Sequence, residues 1–219
     1  MSTVLDATCD RKAEPTLADL SRRFGPMPSW RIRTAPPPRT ATEADVLRIY
    51  NDESRLCELV DGILVEKDAA YEESVIAGRL LTALNIFVIA RKLGLVTGEA
   101  GMIAIAPRLV RIPDVAFVSR KRLQAGKIPT QHIPRLGPNL AVEVISRGNT
   151  DDEMRTKLDE YFQAGVELVW LIFPRLRTVE VFTSRESSVT LKVSQTLTGG
   201  EVLPGFRVKV RTLFAGLDD

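Results

Sequence analysis

The chain has 219 residues, of which 44% are hydrophobic, and a formal net charge of +2 at pH 7. This length and composition predict one main α/β domain with a substantial core plus an N-terminal extension, and argue against two independent domains. Cys9, Cys57 and His132 are too few for the usual zinc frameworks, which leaves carboxylates as metal ligands and favours magnesium, manganese or calcium. The sequence has no signal-peptide pattern and no run of about 18 uncharged apolar residues, so we expect a cytoplasmic protein with no membrane partner.

The beginning of the chain predicts a lead-in followed by a short helix. Residues 1–40 are rich in Pro, Arg, Ser and Thr, so we expect a disordered or extended segment ahead of a domain covering 41–219. Thr42, with Asp45 three positions later, is a helix-capping pattern. It predicts a helix that ends near Tyr50.

The middle of the chain alternates strand and helix patterns. Asp61-Gly62 between two apolar runs is a strong hairpin signal. Apolar residues at helical spacing over 71–92 predict a helix that covers one face of a sheet. Strands are expected at about 95–106, 112–119 and 139–146, and a long basic loop joins the last two.

The last part of the chain predicts one helix and then strands. Thr150 to Glu153 form a capping box, so a helix should begin there and end near Ala164, where Gly165 can supply a left-handed cap. A continuous apolar run over 167–173 predicts a buried strand. Further strands are expected at about 179–183, 189–193 and 206–210.

Two acids interrupt apolar strands. Glu143 lies inside the apolar run 139–145, and Asp114 follows Pro113 at the start of another β-rich run. An ionised carboxylate in a buried strand is costly unless it is paired or binds a metal. Two such acids suggest a shared cation, although hydrogen bonds from the backbone or from Arg111 would also satisfy them.

Lys157 lies on the helix predicted after the Glu143 strand. It falls about 40° from Tyr161 on the helix, at the border of the buried face, so its stem can lie along the sheet while its ammonium reaches out. Tyr161 itself is interpreted as core. Glu153, four residues before Lys157, offers an ordinary surface ion pair as the alternative explanation.

The segment from Arg108 to Arg135 is strongly basic. It carries seven Lys and Arg residues against one acid, Asp114. A phosphodiester substrate would favour a basic patch beside a candidate metal site, whereas a solvated basic loop is the simpler alternative. The candidate nucleic-acid contacts are Arg111, Arg120, Lys121, Arg122 and Lys127.

Four pieces of the sequence are more specific together than any one of them alone. They are residues 58–62, 110–115, 140–146 and 157–166. In this order they resemble the Uma-type family of restriction endonucleases, a branch of the PD-(D/E)XK nuclease superfamily. The resemblance extends from about residue 42 to the C-terminus.

The resemblance implies a restriction-endonuclease-like α/β core, in which a central mixed β-sheet is flanked by helices. It implies Asp114 and Glu143 as ligands of Mg²⁺ or Mn²⁺, with Glu58 as an additional catalytic acid. The superfamily triplet normally ends in lysine, but Ile145 stands there, and in this branch Lys157 is thought to substitute. The helical geometry permits that reach.

Two further positions depart from the family pattern. Arg147 follows Ser146 where the branch usually has Ser-Pro, and Asn139 stands where an aspartate is common. The loop after the Glu143 strand can therefore differ in shape. Neither change removes a ligand.

The implied function is a metal-dependent endonuclease that hydrolyses DNA phosphodiester bonds, leaving a 5′-phosphate and a 3′-hydroxyl. Lys157 would orient the nucleophile or contact the transition state. Two alternatives stay open: a catalytically silent nucleic-acid-binding protein with the same fold, and a metal-free carboxylate-pair hydrolase acting on another substrate such as a glycoside. Cutting both strands would suit a homodimer, and the sequence leaves open whether DNA or RNA is preferred.

Overall fold

The computed structural model describes residues 19–20, 24–68, 70–123 and 126–217. The helices of this part are α1 (Glu43–Glu53), α2 (Tyr71–Arg91), α3 (Asp151–Gln163) and α4 (Val210–Leu213), preceded by a 3₁₀ turn at Ser29–Arg31. The strands are β1 (Cys57–Val60), β2 (Ile63–Glu66), β3 (Gly94–Thr97), β4 (Ile103–Ala106), β5 (Leu109–Arg111), β6 (Val115–Ser119), β7 (Leu140–Val144), β8 (Leu168–Phe173), β9 (Thr178–Phe182), β10 (Ser188–Lys192), β11 (Thr196–Gly199) and β12 (Leu203–Lys209).

A six-stranded sheet in the order β10-β9-β8-β7-β6-β3 forms the centre of the domain. Strands β7 and β8 run parallel, and every other neighbouring pair is antiparallel. The parallel pair requires a crossover connection, which α3 supplies. The predicted mixed sheet flanked by helices is therefore confirmed.

Helices cover both faces of this sheet. On one face, Leu80 of α2 belongs to the same buried cluster as Val142 of β7. On the other face, Leu158 of α3 packs in a cluster with Ala141. Successive strand residues point to opposite faces. Glu143 therefore shares the α3 face with Ala141.

Helix α2 is long and apolar. Its buried face includes Ile76, Leu84 and Val88, which pack in the core, while Ile86 and Ile89 on the other side are exposed. By length and composition alone this helix could cross a membrane, but the core helix of a soluble protein has the same character. The absence of a membrane partner stays a prediction.

A second sheet of four antiparallel strands, in the order β2-β1-β5-β4, carries part of the site. The predicted hairpin at Asp61-Gly62 is confirmed, because Val60 pairs with Ile63 and both turn residues have positive φ. Helix α1 packs on this sheet through Val46 and Ile49.

One of the predicted strands is divided between the two sheets, and another is shortened. The stretch 95–106 contains β3 in the large sheet and β4 in the small one. The stretch 112–119 contains only β6, because residues 112–114 form a link from β5 in the small sheet to β6 in the large one. Pro113 lies in this link and has no N–H to donate to a ladder. The link places Asp114 between the two sheets.

The described part of the predicted lead-in packs on the domain. Ile32 forms a bridge with Val65 of β2. The buried Arg31 guanidinium donates to both carboxylate oxygens of Glu153, at 2.8 and 2.9 Å. The folded unit therefore includes residues before position 41. The lead-in expected over 1–18 and 21–23 lies outside the described residues.

The predicted capping box at the start of α3 is formed differently. The Glu153 N–H donates to Thr150 Oγ1 at 3.1 Å, as predicted. The Glu153 carboxylate, however, binds Arg31 and accepts from Asn149 Nδ2 at 3.1 Å. A contact distant in sequence has replaced the local one.

Replacing Arg31 by Ala should destabilise the protein strongly. It leaves the Glu153 carboxylate buried without its cation, and breaking a buried pair on one side costs about 3–5 kcal/mol. Urea denaturation measures this loss in the free energy of unfolding. Arg155→Ala is the control. Arg155 is exposed on α3, the helix that carries Glu153, so its replacement should change stability little. Equal losses in the two variants would contradict the importance of the buried pair.

Candidate active site

Strand β7 presents Glu143 to helix α3. All five residues of β7 are buried, so the carboxylate needs partners inside the protein. The Tyr161 hydroxyl donates to Glu143 Oε1 at 2.5 Å, and the Lys157 ammonium donates to Oε2 at 3.1 Å. Residues four apart on a helix share a face, so α3 supplies a partner to each oxygen.

Lys157 bridges two carboxylates. Its Nζ lies 3.1 Å from Glu143 Oε2 and 3.2 Å from Glu58 Oε1, and the side chain is 3% exposed. Burial opposes its charge, but Glu143 and Glu58 together raise the pKa of Lys157 above its ordinary value. The ammonium therefore stays protonated. The surface pair with Glu153 is not its main contact, since that carboxylate holds Arg31.

Glu58 reaches the cluster from β1 in the small sheet. Arg111 Nη1 donates to its Oε2 at 2.6 Å, and the Ile112 N–H donates to its Oε1 at 3.1 Å. Arg111 also donates to Glu160 of α3. Burial alone would raise the pKa of Glu58, but the charges of Lys157 and Arg111 lower it to about 2. Glu58 is therefore an ionised anchor between the small sheet and α3.

Asp114 occupies the link between the sheets. The Val144 N–H donates to Oδ2 at 2.6 Å, and the Lys67 ammonium donates to Oδ1, also at 2.6 Å. The Asp114 side chain is 14% exposed, whereas those of Glu58 and Glu143 are 1% and 5% exposed. Asp114 is thus the most accessible acid of the three.

Negative charge is concentrated around Glu143. Burial raises the pKa of Glu143, and the nearby charges of Asp114 and Glu58 raise it further, against the opposing effect of Lys157. Burial and the Glu143 carboxylate also raise the pKa of Tyr161 well above its ordinary value, so the phenol stays neutral and donates. An additional cation near Glu143 and Asp114 would relieve the repulsion between these acids.

The donor chemistry fits a hard divalent cation. Asp114 and Glu143 offer carboxylate oxygens, the ligands that Mg²⁺ and Mn²⁺ prefer, and Mg²⁺ commonly takes one or two carboxylates while keeping several waters. Across the described ranges, no group of three or more acids, histidines or cysteines is arranged to hold a metal. Asp114 and Glu143 are therefore the residues that could hold an ion, with water completing its shell.

The four residues predicted as catalytic lie in one cluster, although they come from separate elements. Glu58 is on β1, Asp114 precedes β6, Glu143 is on β7 and Lys157 is on α3. The ion pairs of Lys157 join the two glutamates directly. Their catalytic roles stay predictions.

The basic residues predicted to contact nucleic acid are dispersed. Arg111 is buried with Glu58 and Glu160, which removes it from the surface. Arg122 donates to backbone carbonyls and to Glu167. The remaining three, Arg120, Lys121 and Lys127, are exposed.

Two of the exposed basic residues are also distant from Asp114. Asp114 precedes β6, whereas Arg120 and Lys121 follow it. At roughly 3.3 Å per residue, about 20 Å of extended chain separates Asp114 from Arg120. The direction of β6 therefore sets Arg120 and Lys121 at the opposite end of the sheet from Asp114. The sequence alone does not specify this direction relative to the site.

Two residues that bind the acids were not predicted to do so from the sequence: the cation Lys67, and the donor Tyr161, which was interpreted as core. Lys67 follows β2 within the charged run Glu66-Lys67-Asp68, and nothing in that run indicates which side chain turns inward. Tyr161 packs in the core, as predicted, but its hydroxyl binds Glu143. Its spacing of four residues from Lys157 was the available signal, because it places both side chains on one helix face.

The stability of the protein should depend on the ionisation of Glu58. The folded-state pKa of about 2 is below the ordinary value of 4.5, so the ionised group contributes stability above pH 4.5 that is lost as the pH falls through about 2. We expect Glu58→Gln to be less stable than the wild type at pH 7 by roughly 3 kcal/mol. The difference should shrink as the pH falls.

Urea denaturation at several pH values between about 7 and 2 measures this difference. Glu72→Gln is the control, because Glu72 is exposed in the first turn of α2. A stability difference between the wild type and Glu58→Gln that is independent of pH would contradict the prediction.

Comparisons with known proteins agree with this architecture. The model of the Uma2 family, described as "Putative restriction endonuclease", matches residues 43–211, and no curated protein matches the chain. A crystal structure described as a "putative nuclease belonging to DUF820" from Anabaena variabilis has 16% sequence identity and a TM-score of 0.64, covering 73% of this chain and 89% of that chain. At this identity the likeness shows a shared fold. The family match spans most of the chain, including the whole acidic cluster, and the chain therefore belongs to the Uma2 family of restriction endonuclease-like proteins.

Proposed function

We propose that this protein is an endonuclease that hydrolyses DNA phosphodiester bonds with Mg²⁺ or Mn²⁺. The observation that carries the proposal is the meeting of Glu58 and Glu143 on Lys157, beside Asp114, which accepts from the Val144 N–H next to Glu143. Burying so many charges together is costly for folding, and such arrangements are concentrated at functional sites. In a nuclease family, hydrolysis of a phosphodiester is the chemistry that these groups suit best.

Asp114 and Glu143 would hold the ion. When bound, it would lower the pKa of a coordinated water and neutralise charge on the phosphate. The Val144 N–H and the Tyr161 hydroxyl each fix one carboxylate oxygen. Both acids are therefore oriented before a ligand arrives, which favours precise positioning of the reacting groups.

Lys157 would assist through its charge. Its raised pKa keeps it protonated near neutral pH, so it can donate hydrogen bonds and stabilise developing negative charge but is a poor general base. Glu58 also holds the ammonium, with its Oε1 3.2 Å from Lys157 Nζ. We assign Glu58 the role of positioning Lys157.

Exposed basic residues would contact the DNA at a distance from the scissile bond. Arg120, Lys121 and Lys127 are available at the surface. The separation of Arg120 and Lys121 from Asp114 suits contacts to neighbouring backbone phosphates, which position a duplex without reading its sequence. A homodimer, with one cluster for each strand, is part of the same proposal.

A catalytically silent nucleic-acid-binding protein is the second candidate. One observation favours it: each of the three acids already has a cationic partner inside the protein. Glu58 pairs with Arg111, Asp114 with Lys67 and Glu143 with Lys157. Such a protein would bind DNA through its basic surface and would not cut in any divalent ion.

The test is Mn²⁺-dependent cleavage of supercoiled plasmid and of single-stranded DNA. The wild type should cut, and EDTA should abolish cutting. Asp114→Ala removes a proposed ligand and should reduce the rate by at least about 100-fold. Conversion of supercoiled to nicked and linear plasmid on gels measures the rate.

Asp52→Ala is the matched control, because Asp52 is an exposed aspartate on α1 outside the cluster. It should cut at the wild-type rate. Tight DNA binding without cleavage in Mg²⁺ or Mn²⁺ would favour the silent protein. Cleavage that survives EDTA and Asp114→Ala would exclude the proposed site.

A further inference from the structure

Lys67 is a buried cation to which the proposed catalytic roles assign no task. Its ammonium lies 2.6 Å from Asp114 Oδ1 and 2.7 Å from the Ile112 carbonyl oxygen. The side chain is only 7% exposed. A charged group removed from water in this way needs a counter-charge, which here is the carboxylate of Asp114.

The backbone around Lys67 is anchored on two sides. The Lys67 N–H donates to the Leu56 carbonyl at 2.9 Å. The neighbouring Asp68 Oδ2 accepts from Ser146 Oγ at 2.8 Å and from the Gly148 N–H at 2.9 Å. The segment is thus tied to the chain before β1 and to the loop after β7. Motion of Lys67 is therefore confined mainly to its long side chain.

Lys67 is easier to displace than the other lysine of the cluster. Lys157 is held by two carboxylates and is 3% exposed, whereas Lys67 is held by one carboxylate and one carbonyl. Its partner Asp114 is also the most accessible acid. A lysine stem is flexible enough for the ammonium to turn toward solvent while the backbone stays in place.

We propose that Lys67 is an internal counter-cation that occupies Asp114 Oδ1 in the metal-free protein and yields this oxygen to a divalent ion. The inference rests on the proposed function, because it requires Asp114 to be a ligand. Two cations at one carboxylate oxygen repel each other strongly in a buried site. Lys67 therefore holds Asp114 in place without metal and lowers the affinity for metal.

The affinity for Mn²⁺ tests the proposal without any activity measurement. Lys67→Met removes the competing charge but keeps an unbranched side chain. This variant should bind Mn²⁺ about 10-fold more tightly than the wild type, a change within the usual range of coupling between two binding sites. Lys67→Arg keeps the charge and should stay close to the wild type. Lys192→Met, at an exposed position on β10, should have no effect. Isothermal titration calorimetry measures the Mn²⁺ affinity of these four proteins and of Asp114→Ala.

The outcomes separate this inference from the proposed function. Tighter binding in Lys67→Met with near wild-type binding in Lys67→Arg supports the inference. Equal or weaker Mn²⁺ binding by Lys67→Met overturns the inference. If Asp114→Ala at the same time loses the Mn²⁺ binding of the wild type, the proposed metal site is still supported. No Mn²⁺ binding in either the wild type or Lys67→Met overturns both, because removal of the competitor should expose the site.

Chemical labelling of the wild type keeps the test decisive if Lys67→Met does not fold. Acetylation of lysines is followed by mass spectrometry with and without Mn²⁺. Displacement predicts a severalfold increase in Lys67 labelling on adding Mn²⁺, whereas labelling of the enclosed Lys157 and of the exposed Lys192 should be unchanged. Constant labelling of Lys67 would overturn the inference.

Discussion

The buried ammonium of Lys157, held between Glu143 and Glu58, is the interaction on which the site depends. It joins three elements that are distant in sequence: a strand of the large sheet, a strand of the small sheet and the crossover helix. Transfer of these charges from water is expensive, so the geometry holds only while each charge keeps its partner. The cluster is therefore a strong constraint on how α3 docks.

The link between the two sheets explains why acids from both can meet. The chain leaves the small sheet after Arg111 and enters the large one at Val115. Within this short passage, the Ile112 N–H binds Glu58 and Asp114 binds the Val144 N–H. Backbone and side-chain hydrogen bonds thus fix the relative position of Glu58, Asp114 and the end of β7. Pro113 suits a passage that belongs to neither ladder.

The cluster keeps several charged side chains buried, at a cost in stability. Apolar residues of similar volume often replace buried ion pairs without loss of stability. Here the acids instead face one another closely enough that Asp114 and Glu58 help to raise the pKa of Glu143. The metal site that we propose would use this property, because a bound cation would offset the repulsion between the acids. Lys67 supplies part of that charge from within the protein.

Local sequence patterns were sufficient for much of the fold and for the candidate acids. The Asp61-Gly62 turn, the buried strand around Glu143 and the Thr150 cap depend on residues that are neighbours in the chain. An acid inside an apolar strand is conspicuous because of its desolvation cost. The same logic could not identify Lys67, whose charged neighbours made it look like an ordinary solvated residue.

By itself the sequence determined the periodicities, the turns and the chemical types of the candidate site, because these follow from backbone preferences and from the burial cost of each side chain. Only the tertiary structure decided the partners. It brought Lys67 to Asp114 and Arg31 to Glu153, enclosed Arg111, and separated Arg120 from the acids. Ion pairs between distant segments depend on strand order and direction, which local patterns do not specify.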